Sequence, residues 1–193
     1  MVPTLHGFAV PVAVAGPEAG VVVVILGDRN RAPGAYDALC ERLHLAALRT
    51  VVIGFDARLT RASVLSLLDG LGIRWAVLVG DGAGGDLAWE LAATAAGRFV
   101  GLVVIDRGHP RVADPQGIAA ADVDDGDADD DDEFPPVRVD TTVLASSPAA
   151  REVARRSRRY VHSDCRVVDL VRGHGEESTA QVAAEIVLRT SAW

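Results

Sequence analysis

The chain of 193 residues has no lysine, only two cysteines and only one methionine. Without lysine it cannot carry the G-K-[ST] sequence of a phosphate-binding P-loop. Cys40 and Cys165 are too few for a disulfide framework, and we expect them to be reduced. The apolar runs 21–26 and 102–105 are far shorter than a membrane span, and segment 1–16 lacks the basic residues of a signal peptide. We therefore expect a cytoplasmic protein that does not contact a membrane.

Acidic charge is concentrated in one segment. Residues 122–133 hold nine of the 27 acidic residues and no basic one, while the whole chain has a net charge of −8. The rest of the chain is nearly neutral, so the overall acidity does not identify a partner. Such a tract cannot bury apolar area, and we predict that 107–137 is a flexible loop within a single domain, 1–193. An EF-hand count places the tract's glycine at position five instead of six, which favours a solvated linker over a calcium site.

Short β-branched runs alternate with helical patterns along the chain. We predict strands over 8–15, 20–26, 49–54, 75–79, 100–105, 139–145 and 166–170, and helices over 34–45, 60–71, 83–96, 148–160 and 178–188. Continuous apolar strands separated by helices are typical of a parallel sheet that is covered on both faces. The predicted fold class is therefore α/β, a three-layer α/β/α domain with a doubly wound, mostly parallel sheet. Ligands of such sheets bind at the carboxyl ends of the strands.

A glycine-rich turn, G-D-G-A-G-G over 80–85, joins the strand that ends at Val79 to the helix that starts at Ala83. This turn resembles the nucleophile elbow of the α/β-hydrolase family, where small residues two positions before and after the nucleophile let the turn close. The G-H-G stretch at 173–175, followed by the last helix, is similar to that family's histidine loop. The resemblance covers most of the chain outside 107–137. It implies the family's fold, without an inserted lid, and a pocket at the strand ends.

The catalytic set that the resemblance implies is incomplete. The nucleophile position is Gly82, which has no side chain that could attack. His174 corresponds to the family's base. The usual acid loop, after strand 139–145, holds no acid, so Asp106 is the remaining acid. The oxyanion-hole donors correspond to the N–H groups of Asp28 and Ala83. We predict His174 and Asp106 as catalytic remnants and, as ligand-binding residues, Gly27, Asp28, Asp81, Gly82, Ala83 and His109, with no metal and no cofactor.

These features together predict a protein without conventional Ser-His-Asp catalysis that binds a small apolar ligand or a protein partner at the strand ends. Two enzymatic alternatives stay open. One is ester hydrolysis by His174 with Asp106 and no covalent step. The other is an esterase inactivated by glycine in place of a nucleophile serine at Gly82. A purely structural module is a further alternative, and a large exposed apolar patch would favour it. The sequence does not predict the oligomeric state.

Three other signals point to function more weakly. Asp81 lies one residue before the nucleophile position, and a slip of the frame would place Val79 where a small residue is needed. The turn 80–85 presents N–H groups but matches neither G-x-G-x-x-G nor a P-loop, and Asp81 and Asp86 would repel a phosphate. The arginine-rich stretch 151–159 fits a solvated helix face better than a nucleic-acid site. We therefore expect no nucleic-acid partner.

Overall fold

The computed structural model describes residues 2–3, 7–113, 135–171 and 175–190. Residues 114–134, which include the acidic tract 122–133, lie outside these ranges, so the predicted flexibility of loop 107–137 remains a prediction. The strands are β1 (Val2–Pro3), β2 (Ala9–Val10), β3 (Val12–Ala15), β4 (Val22–Leu26), β5 (Arg49–Ile53), β6 (Ala76–Asp81), β7 (Phe99–Ile105), β8 (Asp140–Ala145) and β9 (Cys165–Asp169). The helices are α1 (Asp37–Leu45), α2 (Arg61–Gly70), α3 (Gly84–Thr94), α4 (Pro148–Ser157) and α5 (Glu176–Thr190). None of these helices is long and apolar enough to cross a membrane.

Strands β3 to β9 form one sheet in the order β3-β5-β4-β6-β7-β8-β9. Strands β4 to β9 run parallel, and β3 pairs antiparallel with β5 at one edge. The extended segment predicted over 8–15 is divided at Pro11, which has no backbone N–H to donate to a sheet. Its first part, β2, pairs with β1 instead. From β4 the chain adds β5 on one side and then returns to add β6 to β9 on the other side. This reversal confirms the predicted doubly wound, mostly parallel architecture.

Helices cover both faces of the sheet. Alternate residues of a strand point to opposite faces, so Val77 and Val79 of β6 pack in one apolar cluster with α1 and α5. Leu78, between them, packs in a second cluster with α2, α3 and α4. The side chain of Trp89, on α3, is fully buried in this second cluster. Burial of these strands on both faces explains why their sequences are apolar without alternation.

Side chains at the start of two helices satisfy backbone donors that have no partner within the helix. Thr60 accepts a hydrogen bond from the N–H of Ser63 at the start of α2, at 3.2 Å. Ser147 does the same for Ala150 at the start of α4, at 3.1 Å. Pro148 occupies the first position of α4, where its missing N–H costs nothing. The second cap fixes where the chain leaves β8, beside the candidate site.

Candidate functional site

The carboxyl ends of β4, β6 and β7 lie next to one another. Leu26 pairs with Gly80, and Asp81 pairs with Ile105. The predicted site residues Gly27, Asp28, Gly82, Ala83, Asp106 and His109 come shortly after these strands, and Asp81 is the last residue of β6. The sheet therefore brings together site residues from three segments that are far apart in the sequence.

The turn from β6 into α3 depends on glycine because its backbone passes very close to neighbouring atoms. A Cβ on Gly84 would lie 2.3 Å from the carbonyl oxygen of Leu26, and one on Gly80 would lie 2.6 Å from the Cβ of Ala88. Both distances are far below van der Waals contact. Gly82, at the centre, has a φ of +48°, in the left-handed region that L side chains rarely adopt. The turn has the tight strand-to-helix geometry that sequence analysis predicts.

The carboxylate of Asp28 fills the space beside Gly82. A Cβ on Gly82 would lie 2.4 Å from Oδ1 of Asp28 and 2.7 Å from its Cγ. The same Oδ1 accepts the N–H of Ala83 at 2.9 Å, while Oδ2 accepts the N–H of Asn30 at 3.1 Å. The position where a nucleophile side chain would begin is thus taken by a carboxylate from a different loop. That carboxylate also occupies one of the two predicted oxyanion-hole donors.

The second predicted donor is engaged as well. The N–H of Asp28 donates to the hydroxyl oxygen of Tyr36 at 2.9 Å, and the Tyr36 hydroxyl donates to Oδ2 of Asp81 at 2.8 Å. Nη1 of Arg31 lies 3.4 Å from the same Asp81 oxygen. Gly27 lies under the Tyr36 ring, since a Cβ there would be 3.3 Å from Cε2. Tyr36 is thus a site residue that the sequence does not single out, since it lies within the helix predicted over 34–45.

The charges of this network follow from burial and hydrogen bonding. Burial works to raise the pKa of the Asp28 carboxyl, but N–H groups that include that of Ala83 outweigh it, so the pKa of Asp28 is lowered. Burial raises the pKa of Asp81, against the Tyr36 hydroxyl and Arg31, and the carboxylates of Asp28 and Asp106 raise it further. Burial also raises the pKa of Tyr36, which therefore keeps its proton and donates a hydrogen bond to Asp81.

A cavity of about 490 Å³ opens beside Asp81, within the size range of small-molecule sites. Its apolar wall comes mainly from α1, β7, α4 and α5 and includes Ala35, Ala38, Leu39, Ile105, Pro148 and Val182. Its polar lining includes Arg31, Tyr36, Asp81, Asp106, Ser146 and Ser178. Asp81 and Asp106 are the predicted site residues that line this cavity in the described part of the chain. Gly27, Asp28, Gly82 and Ala83 instead form the adjoining turn contacts.

Asp106, the residue that follows β7, has an uncommon backbone conformation. Its φ is +53°, which Asp tolerates better than most residues do, and its Oδ1 accepts the N–H of Ser146 at 2.7 Å. The carboxylate thereby ties the end of β7 to the loop that leaves β8. Its predicted partner, His174, lies outside the described residues, so the pairing of His174 with Asp106 remains a prediction.

His109 lies in a different environment from the other predicted site residues. It is 1% exposed, its ring stacks on Tyr160 at 4.2 Å, and the ring of Trp89 meets it edge-on at 5.4 Å. Its backbone N–H donates to Oγ of Ser157 at 2.8 Å. Burial, followed by the charges of Arg111 and a second arginine, lowers the pKa of His109 to about 4. His109 holds its loop against α4 and is not among the described residues that line the cavity.

Metal ligation finds no support in the described ranges, where no group of three or more histidine, cysteine or carboxylate side chains is placed to hold an ion. The absence of a cofactor is likewise still a prediction. The described residues thus offer carboxylates, the guanidinium of Arg31 and several hydroxyls at the edge of an apolar cavity.

Comparisons by sequence and by structure give different results. No protein-family model matches the chain, and no curated protein matches it in sequence. Solved structures do match it. An epoxide hydrolase of the alpha/beta hydrolases superfamily, from metagenomes of hot environments, is 13% identical with a TM-score of 0.75, and the match covers 100% of this chain and 98% of that one. The enol-lactonase of Burkholderia xenovorans LB400 is 15% identical with a TM-score of 0.69, over 94% and 96% of the two chains. Mouse alpha/beta hydrolase domain-containing protein 10 is 14% identical with a TM-score of 0.68, over 93% of both.

Proposed function

This chain has the α/β-hydrolase fold, and we propose that it uses this fold to bind a small apolar molecule and does not form an acyl-enzyme. The observation that carries the proposal is the carboxylate of Asp28. It stands within 2.4 Å of where a Cβ of residue 82 would be. A fold alone does not determine an activity, so the proposal rests on this site and not on the likeness to hydrolases.

Covalent ester hydrolysis needs a nucleophile and free donors for the developing oxyanion. Gly82 supplies no nucleophile, and a side chain introduced there would collide with Asp28. The N–H of Ala83 is bonded to Asp28, and the N–H of Asp28 is bonded to Tyr36. An oxyanion at this position would therefore have to displace a carboxylate and a hydroxyl, and any carboxylate left nearby would repel it.

Binding of a small apolar molecule is favoured because the cavity next to this blocked turn is large and its wall is mostly apolar. At about 490 Å³ it is of the size that buries most of a small ligand. A protein partner is less favoured because the exposed large apolar side chains come from five segments that are far apart in the sequence. In the described part of the chain these are Val14, Leu45, Leu71, Trp75, Val171 and Leu188. Scattered side chains of this kind are normal for a protein surface.

The test uses Nile red, a neutral apolar dye, in a fluorescence titration. We expect saturable binding at one site. Ala38→Trp, in the cavity wall on α1, should weaken binding at least about tenfold because the indole fills the cavity. Ala62→Trp is the matched control, since Ala38 and Ala62 are both exposed second residues of their helices. The control variant should bind as the wild type does.

Two outcomes would overturn the proposal. One is failure of the wild type to bind Nile red, or equal binding by both tryptophan variants. The other is hydrolysis of p-nitrophenyl butyrate above background by the wild type, lost in His174→Ala. That second result would establish the enzymatic alternative in which His174 and Asp106 activate water.

A further inference from the structure

Among the described residues that line its polar end, the cavity has more carboxylates than basic groups. Asp81 and Asp106 both line it, and Asp28 stands close enough to influence the ionisation of Asp81. Among the described residues that line the cavity, Arg31 is the single basic one. The side chain of Arg31 is 39% exposed and forms an ion pair with Asp81, with Nη1 and Oδ2 3.4 Å apart. Among the described residues, two carboxylates and one guanidinium therefore line this end, with the Asp28 carboxylate close by.

Several hydrogen-bond donors near this end are already bonded to other groups of the described chain. The N–H of Ser146 donates to Asp106, and the N–H groups of Ala83 and Asp28 are bonded within the turn. The hydroxyl of Ser178 donates to the carbonyl oxygen of Gly175. An incoming carboxylate would be repelled by the carboxylates of Asp81 and Asp106, whereas an ammonium group could donate hydrogen bonds to their oxygens.

We propose that the cavity selects molecules that join an apolar tail to a primary ammonium group and that it excludes carboxylates. This inference rests on the proposed binding function and adds the chemical class of the ligand. It makes Asp106 a specificity-determining residue, because its carboxylate lines the cavity while Asp81 is held by Tyr36 and Arg31. Charge selection of this kind sets which head group enters, while the apolar wall supplies most of the attraction for the tail.

The test compares octylamine, octanol and octanoate, which share one tail length, as competitors that displace Nile red. The titrations are run at pH 8, where a histidine of ordinary pKa is neutral and an alkylamine is protonated. Salt at about 0.15 M screens the acidic surface at long range. We expect octylamine to compete at a concentration about tenfold lower than octanol, and octanoate to compete more weakly than octanol.

Asp106→Asn isolates the charge. Asparagine also tolerates a positive φ and can still accept the N–H of Ser146, so the variant should keep the fold and the cavity. The advantage of octylamine over octanol should fall to about threefold or less. Asp140→Asn is the matched control: Asp140 also accepts a backbone N–H, from Asp164, but it starts β8, at the amino ends of the parallel strands, and does not line the cavity. This control should leave the ranking of the three competitors unchanged.

The possible failures are distinguishable. If Nile red binds but the three competitors are equivalent, or octanoate is the strongest, the charge preference is refuted and the binding function stands. If Asp140→Asn reduces the octylamine advantage as much as Asp106→Asn does, the preference belongs to the overall acidic surface and the inference is refuted. If the wild type does not bind Nile red at all, both proposals fail together.

Discussion

Replacing Gly82 by serine should destabilise this protein and should not create an esterase. The serine Cβ would lie 2.4 Å from Oδ1 of Asp28, so the carboxylate must move. When it moves, it gives up the hydrogen bond from the N–H of Ala83. The residue must also hold a φ of +48°. The substitution therefore combines backbone strain with the loss of a charged hydrogen bond, and these two costs can be measured separately.

The magnitude follows from those two contributions. A non-glycine residue in the left-handed region costs about 1–2 kcal/mol. Loss of a hydrogen bond to a charged group costs about 1.5–3 kcal/mol, and the low end applies here because Asp28 is only partly buried. Gly82→Ser should therefore lower the free energy of unfolding by about 3 kcal/mol, a large share of the stability of an ordinary domain.

Urea denaturation, followed by the intrinsic tryptophan fluorescence to which the buried Trp89 contributes, measures this change. Gly72→Ser is the control for backbone strain, because Gly72 also has a positive φ, of +70°, but a Cβ there would meet nothing within 4 Å. It should cost only about 1–2 kcal/mol. Asp28→Gly removes the collision, so Gly82→Ser should cost less in that background. The two substitutions should show a coupling free energy of about 1.5 kcal/mol.

The reasoning is refuted if Gly82→Ser and Gly72→Ser cost the same, or if the cycle with Asp28→Gly shows no coupling. Either result would mean that the Asp28 carboxylate does not occupy the space beside Gly82 in solution. Strong hydrolysis of p-nitrophenyl butyrate by Gly82→Ser alone would refute it in another way. That result would show a site that lacks only its nucleophile, as expected for an inactivated esterase.

Two further predictions concern the surroundings of the turn. The pKa of His109, about 4, lies below its ordinary value of 6.5, so the unfolded chain takes up this proton first as the pH falls. Between pH 6.5 and 4 the free energy of unfolding of the wild type should fall by up to about 3 kcal/mol relative to that of His109→Phe. Urea midpoints that change in parallel for the two proteins over that range would disprove this prediction. Tyr36→Phe should cost about 1.5–3 kcal/mol at pH 7, because Asp81 loses a donor and the N–H of Asp28 loses its acceptor. Unfolding titrations that place this loss below about 0.5 kcal/mol would mean that water replaces the hydroxyl.

The parts of the fold that sequence analysis predicts correctly are those that local patterns determine. Strand β6 is continuously apolar because it is buried on both faces, and helix α3 follows it after a glycine-rich turn. The need for glycine at 80 and 84 is also local, since the helix and the strand must approach closely wherever the chain turns this sharply. These features therefore locate the carboxyl ends of the strands, and with them the position of the cavity.

What sequence analysis misses depends on contacts between distant segments. The side chain of Asp28 could point toward the turn or away from it, and the choice follows from the N–H of Ala83, 55 positions later. Tyr36 reads as a core residue because its ring is buried, although its hydroxyl reaches Asp81, 45 positions away. His109 follows the strand-end Asp106 closely in sequence, but the hydroxyl of Ser157, on α4, directs its loop into the core.

Gly82 and Asp28 are best understood as one physical feature. Exchange of a serine for glycine in an otherwise intact hydrolase site would leave an empty space and leave the N–H of Ala83 available to an oxyanion. Here the space is filled and the N–H is bonded, both by the same carboxylate. Serine at position 82 would require the Asp28 carboxylate to move, and removal of Asp28 would leave the N–H of Ala83 without this acceptor. This mutual dependence favours a site rebuilt around the carboxylate over an esterase that lacks a single hydroxyl group.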